Sequence, residues 1–220
     1  MNIKLQNISH SYQDDKKTIR IFENMSLDIP KNKITMILGP SGCGKTTLIN
    51  ILGGLLRPQS GEVYFDDISY YKLAKKHQDE FRANNISFVF QMYHLIPDLT
   101  AIENVLLSMH MVKASKQEKI IIANKLLDQV GMLEYAQRKP FNFSGGEQQR
   151  IAVARALAND ASIVIADEPT GNLDTENGDS IIEILCSLKE KQKTIIIVTH
   201  NENYIKYADN TINLGERRCD

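Results

Sequence analysis

The sequence predicts an α/β fold: a parallel sheet covered on both faces, with a mainly helical insertion over roughly residues 92–160. Three observations predict it. Ile34–Leu38, Ile163–Ala166 and Ile195–Val198 are short, nearly continuous apolar runs, the pattern of strands buried on both faces. Helical segments separate such runs in the last third of the chain, as βαβ connections require. Between about Leu73 and Leu157 the pattern turns mostly helical, broken by one strand at Ile86–Phe90. At 220 residues the chain reads as one domain, 1–220, carrying that insertion. Such a length buries a sizeable core without disulfide staples.

The elements follow in order. Ile3, Leu5 and Ile8, then Ile21-Phe22 and Met25, Leu27 and Ile29, mark opening strands. Ile34–Leu38 stops at Gly39, and residues 45–56 read as a helix ending in Gly53-Gly54. Arg57 to Gly61 has turn composition, and Glu62–Phe65 is a short strand. Thr100-Ala101-Ile102-Glu103 fits a capping box that opens a helix. Ile120, Ile121, Leu126, Leu127 and Val130 recur at helical spacing over 115–130. A helix near 175–191 precedes Ile195–Val198, and another helix leads to a last strand near Thr211–Leu214.

Composition excludes several classes. Apolar residues are 42% and charged residues 24%, which excludes a disordered chain. The net charge is −1 and Trp is absent, so neither a basic patch nor a base-stacking surface is expected and no nucleic-acid partner is implied. The N-terminal MNIKLQNISHSYQDD has no apolar core of a signal peptide, and no run approaches the ~18–20 residues of a membrane span. Cys43, Cys186 and Cys219 form no metal-like spacing and suit a reducing compartment.

Gly39-Pro40-Ser41-Gly42-Cys43-Gly44-Lys45-Thr46 matches G-x-x-x-x-G-K-[ST] between a predicted strand and a predicted helix. Glycines let the backbone curl so that successive N–H groups point at a phosphate, and the helix N-terminus adds positive potential. Lys45 can reach the β- and γ-phosphates, and the Thr46 hydroxyl can ligate Mg²⁺. Downstream, Ile163–Ala166 ends in Asp167 and Glu168, two acids at the C-terminal edge of a parallel sheet, where ligands bind. Asp167 is placed to hold Mg²⁺ and Glu168 to orient and deprotonate an attacking water. A solvated strand end, or Glu168 serving a neighbouring helix, is the structural alternative.

A third cluster is Phe143-Ser144-Gly145-Gly146-Glu147-Gln148-Gln149-Arg150. Ser144 and Glu147 fit a capping box. Two glycines in a first helical turn weaken it by up to ~1 kcal/mol each, which makes sense if a ligand approaches the backbone closely. A Ser hydroxyl, bare N–H groups and a helix N-terminus make a second anion site. One chain needs one triphosphate cradle, so the economical arrangement is a dimer in which this site closes over nucleotide held by the other copy.

These motifs, with FVFQ and VTH in the same order, resemble the ATP-binding subunit of ATP-binding-cassette (ABC) transporters, over about Lys4 to Leu214. The resemblance implies a P-loop NTPase core with a parallel sheet, an antiparallel β part and an inserted helical subdomain. It also implies a head-to-tail dimer of two copies enclosing two ATP and Mg²⁺. By matching positions, Tyr12 looks like the aromatic that stacks on adenine, and Thr47 belongs with Gly39–Thr46 in the nucleotide cradle. Gln91 looks like the lid-loop residue that reaches Mg²⁺ and the water. Ser144, Gly145, Gly146 and Glu147 look like the signature that meets the partner's nucleotide. Asp174 looks like the acid linking the two sites, and His200 like the switch residue on the γ-phosphate. Phe143, Glu147 and Asn201 depart from the residues most often found there, and Glu147 adds negative charge near a phosphate. Cys43 puts a thiol in the phosphate loop, with the expectation that ATP protects it from alkylation.

Asp-Glu-Pro-Thr-Gly-Asn-Leu-Asp (167–174) and the run from Leu95 to Val105 are similar to the macrolide-exporter, lipoprotein-release and antimicrobial-peptide-export branch. That branch implies a separately encoded integral-membrane permease with a large extracytoplasmic domain, and a cytoplasmic subunit peripheral on the inner membrane face. The expected cargo is a peptide, lipid or antibiotic. Met92–Ile96 would be the permease-docking loop, or else would pack internally. Two other readings are an ABC ATPase that regulates a membrane complex without transport, and a soluble one acting on ribosomes or DNA.

Overall fold

Two sheets share the chain in a computed structural model, which describes residues 1–14 and 17–215. Strand β1 (Ile3–Asp14) pairs antiparallel with β2 (Lys17–Ile29) and with β4 (Ser60–Phe65), and β4 with the short β5 (Ile68–Ser69), in the order β2-β1-β4-β5. Asn7 and Asn24 both have positive φ where the β1–β2 register shifts, so asparagines take the kinks that let long strands curl.

The second sheet is parallel throughout. Its strands are β3 (Ile34–Leu38), β6 (Ile86–Phe90), β7 (Ile163–Asp167), β8 (Thr194–Val198) and β9 (Asn210–Asn213), in the order β6-β7-β8-β3-β9. Every residue of β3 and β8 is buried. Alternation assigns them to two cores. Ile37, Ile163, Ile165, Ile196 and Val198 pack with helix α1 (Lys45–Leu52) and the antiparallel sheet. Met36, Val164, Ala166, Ile195 and Ile197 pack with the helices on the other face. This explains why the strands read as continuous apolar runs rather than alternating ones.

Those helices are α3 (Ala101–Leu107), α4 (Lys116–Gln129), α5 (Gly145–Leu157) and α6 (Thr175–Ser187), while α2 (Lys75–Asn85) leads into β6. α3, α4 and α5 pack against one another, and α5 also against α6. Thr100 caps α3 through its capping box. Fully buried Asn104 accepts from the Ile96 N–H (2.7 Å) and donates to the carbonyls of Ile96, Leu99 and Thr100, fastening the loop before α3.

Three elements are shorter than the sequence suggests. α1 stops at Leu52, with Gly53 as its cap, rather than running to residue 56. α6 stops at Ser187 and tightens into a 3₁₀ turn over Leu188–Lys191. The segment after β8 is a 3₁₀ turn, Glu202–Tyr207, not an α-helix. No helix among the described residues is long and apolar enough to cross a membrane. Cys219 lies outside the described residues.

Candidate active site

The loops at the C-terminal ends of β3, β7 and β8 build the site. β3 delivers the chain to Gly39, and α1 begins at Lys45. Gly44 caps α1 at φ 101°, and a Cβ there would stand 2.5 Å from the Ile21 side chain, so a larger residue is excluded twice over. Pro40, Ser41, Gly42 and Thr46 are exposed, while Lys45 and Thr47 are buried. Lys45 Nζ donates to the carbonyls of Gly39 (2.8 Å) and Pro40 (3.0 Å), and lies 3.8 Å from Glu168 Oε1. The loop's own carbonyls thus hold the cation a phosphate would engage. Cys43 is 4% exposed and its thiol faces the core beneath the loop. The expectation of an ATP-protected thiol presumes an accessible side chain, and this one is buried.

β7 ends at Asp167, and Glu168 follows with φ 44°, left-handed for a residue with a side chain. Its N–H donates to Val198 (2.9 Å) and its carbonyl accepts from Gly171 (3.0 Å), so both neighbours along the edge impose the conformation. The Glu168 carboxylate is held between Lys45 and His200, whose Nδ1 is 2.9 Å from Oε2. His200 itself is 65% exposed on its side chain, on the solvent side of the acid. Burial, then the neighbouring Glu168 charge, pushes the Asp167 carboxyl above its ordinary value against the pull of Lys45 and a hydrogen bond from Thr46. A dehydrated carboxylate beside a hydroxyl is a hard-oxygen pair that suits Mg²⁺, which takes one or two carboxylates and completes its shell with phosphate and water. Among the described residues no group of three or more His, Cys, Asp or Glu forms a protein-only metal cage.

The remaining predicted residues have surroundings of their own. Tyr12, 43% exposed, meets the His10 ring edge-on (5.0 Å) and its hydroxyl is 3.4 Å from Thr47 Oγ1, so the ring lies over the start of α1. The Gln91 amide reaches the Asn172 side chain (3.5 Å), and the Asn172 amide donates back to the Gln91 carbonyl (3.3 Å). Ser144 and Glu147 form their capping box on α5: Glu147 Oε2 accepts from the Ser144 N–H (2.8 Å) and hydroxyl (2.9 Å). A Cβ on Gly145 would stand 2.7 Å from the Tyr93 hydroxyl. Gly146 follows it in the same first turn. Asp174 caps α6, accepting from Asn177 N–H (2.9 Å) and Nδ2 (2.8 Å), and these bonds hold its carboxyl below the ordinary range. Within one chain, then, Lys45, Thr46, Asp167, Glu168 and His200 are brought together, whereas Ser144 and Asp174 each bond to their own helix.

The loop after Gln91 divides the docking expectation. Met92 (66%) and Ile96 (41%) are exposed, while Leu95 packs on the core. Beside it is a groove of about 400 Å³ lined by Phe88, Phe90, His94, Leu107, Met111 and Arg155 among others. A larger cavity of about 800 Å³ lies at the far edge of the antiparallel sheet, near Lys4, Asp28 and Asp66. It is shallow and charged, and none of the residues above line it. Sequence reasoning missed Asn104, Asn172, Arg155 and Gln149, whose Nε2 donates to the Pro169 carbonyl (2.9 Å). Asn104 in a helix interior and two adjacent amides in Gln148-Gln149 were the available signals.

Comparisons with known proteins bear on the family and the fold. The model of the family described as ABC transporter matches residues 22–171. An uncharacterized ABC transporter ATP-binding protein of Methanocaldococcus jannaschii is 44% identical over 215 residues, 97% of this chain and 96% of that one. The lipoprotein-releasing system ATP-binding protein LolD of Francisella tularensis is 42% identical over 207 residues, 91% of this chain and 87% of that one. Among solved structures, a dimeric structure of MJ0796, a bacterial ABC transporter cassette, superposes with TM-score 0.90 at 39% identity, over 97% of this chain and 94% of that one. Its post-hydrolysis dimer bound to ADP and Pi gives 0.89 at 38%, with the same coverage.

Proposed function

Since this chain belongs to the ABC transporter family of ATP-binding, ATP-hydrolysing proteins, we propose that it powers a separately encoded membrane permease as a dimer of two copies enclosing two Mg-ATP. The observation that carries the hydrolytic reading is the Glu168 carboxylate held between Lys45 and His200. That arrangement aims the acid, as a general base must be aimed.

In this reading the Gly39–Thr47 loop and Lys45 receive the triphosphate, and Lys45 exchanges its loop carbonyls for phosphate oxygens. Tyr12 offers its exposed face to adenine; base–aromatic stacking is worth about 1–3 kcal/mol. Ser144–Glu147 of the partner copy close over the γ-phosphate, and Asp174 links the two sites. Glu168 takes a proton from water as its oxygen forms a bond to the γ-phosphorus. The bond from that phosphorus to the bridging oxygen breaks, giving ADP and phosphate. His200 and Gln91 position the water. Thr46, Asp167 and Gln91 would hold Mg²⁺, which would supply charge neutralisation for the triphosphate.

The partner is a permease with an extracytoplasmic domain, met at the cytoplasmic membrane face through the exposed Met92 and Ile96. The cargo class is a peptide, lipid or antibiotic; a 42% identical relative named for lipoprotein release supports the lipid end of that range. The test is a pull-down of tagged Glu168→Gln from its native cells with Mg-ATP in mild detergent. Co-purification of a polytopic permease with a large extracytoplasmic domain supports the reading. Recovery of ribosomal or repair proteins with no membrane protein overturns it, and recovery of a membrane complex that moves no cargo selects the regulatory alternative.

A further inference from the structure

The segment after Gln91 adopts an uncommon backbone. Tyr93 (φ 57°) and His94 (φ 50°) are both left-handed, in succession, and both carry bulky side chains. The His94 N–H closes on the Met92 carbonyl (2.5 Å), a strained three-residue turn. Such a conformation persists only when its surroundings over-determine it. Here the surroundings are one helix. Arg155, in the last turn of α5, donates Nη2 to the Tyr93 carbonyl (2.7 Å) and Nη1 to the His94 carbonyl. The planar fork of a guanidinium matches two adjacent carbonyls as no ammonium does. At the other end of α5 the Tyr93 hydroxyl fills the space that the missing Gly145 side chain leaves. The His94 ring packs edge-on against Phe90 (4.9 Å).

We propose that Arg155 is a positioning residue for ATP hydrolysis: it clamps the left-handed turn at Tyr93–His94 and thereby aims Gln91, two residues upstream. This rests on the hydrolytic role given to Gln91 above. Without the clamp the turn relaxes toward ordinary right-handed or extended backbone, and that movement displaces Gln91 from Asn172 and from the acids beyond. Arg155 touches no nucleotide-cradle residue, so its loss acts on turnover rather than on ATP affinity. Glycine takes the left-handed conformation at little cost. Glycines at 93 and 94 therefore make the clamp dispensable, whereas a residue that merely supports α5 would not be replaceable in this way.

The experiment uses the purified full chain with Mg-ATP, as wild type, Arg155→Lys, Arg155→Met, and Arg155→Met combined with Tyr93→Gly and His94→Gly. Steady-state hydrolysis gives kcat and KM, and amide hydrogen exchange over residues 91–96 reports the turn. Arg155→Met is expected to lower kcat about tenfold with KM within about twofold, and to speed exchange over 91–96 at least about tenfold. Arg155→Lys falls between, and the triple variant recovers kcat to within about threefold of wild type. Wild-type exchange over 91–96 in both single variants overturns the clamp, as does a folded triple variant no faster than Arg155→Met. Should Arg155→Met fail to fold, Arg155→Lys with its melting temperature checked decides the point. If no form hydrolyses ATP, the proposed function fails, while the exchange arm still tests the clamp separately.

Discussion

Glu168 shows what single residues here contribute. Its left-handed backbone costs about 1–3 kcal/mol, and the bonds to Val198 and Gly171 hold it there. Neutralising it by Glu168→Gln should leave ATP binding intact and lower turnover about 10²–10⁴-fold, read by single-turnover hydrolysis beside nucleotide affinity. Asp167 carries the pH dependence. Its carboxyl is raised by burial and by Glu168, so the associated stability is complete below the ordinary carboxylate range and is lost as pH rises through the raised value. Asp167→Asn should therefore raise the nucleotide-free Tm at pH 7 by on the order of 2 °C, have little effect near pH 4, and abolish the extra stabilisation that Mg²⁺ adds to ATP. Differential scanning calorimetry at both pH values checks it. At Cys43 burial points away from the sequence expectation: the thiol should alkylate slowly with or without ATP, by peptide mass mapping. The sequence marked the Gly39–Thr46 loop because its spacing is itself a chemical pattern. It did not show which way the Cys43 side chain turns, since that depends on the sheets beneath.

At the scale of elements, capping boxes were readable and loop conformations were not. Thr100–Glu103 and Ser144–Glu147 announce helix starts in four letters each, and both boxes form. Ser115–Glu118 forms a third on α4. The pair Ser115 and Ser144 separates structure from chemistry. Ser115→Ala should cost about 1 kcal/mol, some 2–4 °C in Tm, with hydrolysis unchanged. Ser144→Ala should cost similar stability and lose hydrolysis as well, if its hydroxyl serves the partner's nucleotide. By contrast, the turn at Tyr93–His94 has no sequence signature. It is held through its own backbone carbonyls, which every residue owns, and their donor is a guanidinium that lies far along the chain. The same holds for helix ends: α1 stops at its Gly53 cap and α6 tightens into a 3₁₀ turn, although apolar periodicity continues past both ends.

For the whole molecule, the proposed dimer predicts that Glu168→Gln doubles its sedimenting mass on adding Mg-ATP and not on adding ADP. A species that stays at one mass throughout would remove the two-copy site. The alternating arrangement of sheet and helices was readable from continuous apolar runs, but strand order was not, because parallel neighbours need not be consecutive. That order places β3 between β8 and β9, the last two strands of the described chain. The strand that launches the phosphate loop is thus synthesised early and paired last. During translation Ile34–Leu38 waits with both edges open, an apolar template for aggregation and a natural client for chaperones. A ribosome-held chain ending before Thr194 should bind no ATP, and competence should arrive abruptly once β8 and β9 emerge. Nucleotide binding by this chain is, in effect, a certificate that β8 and β9 have been made.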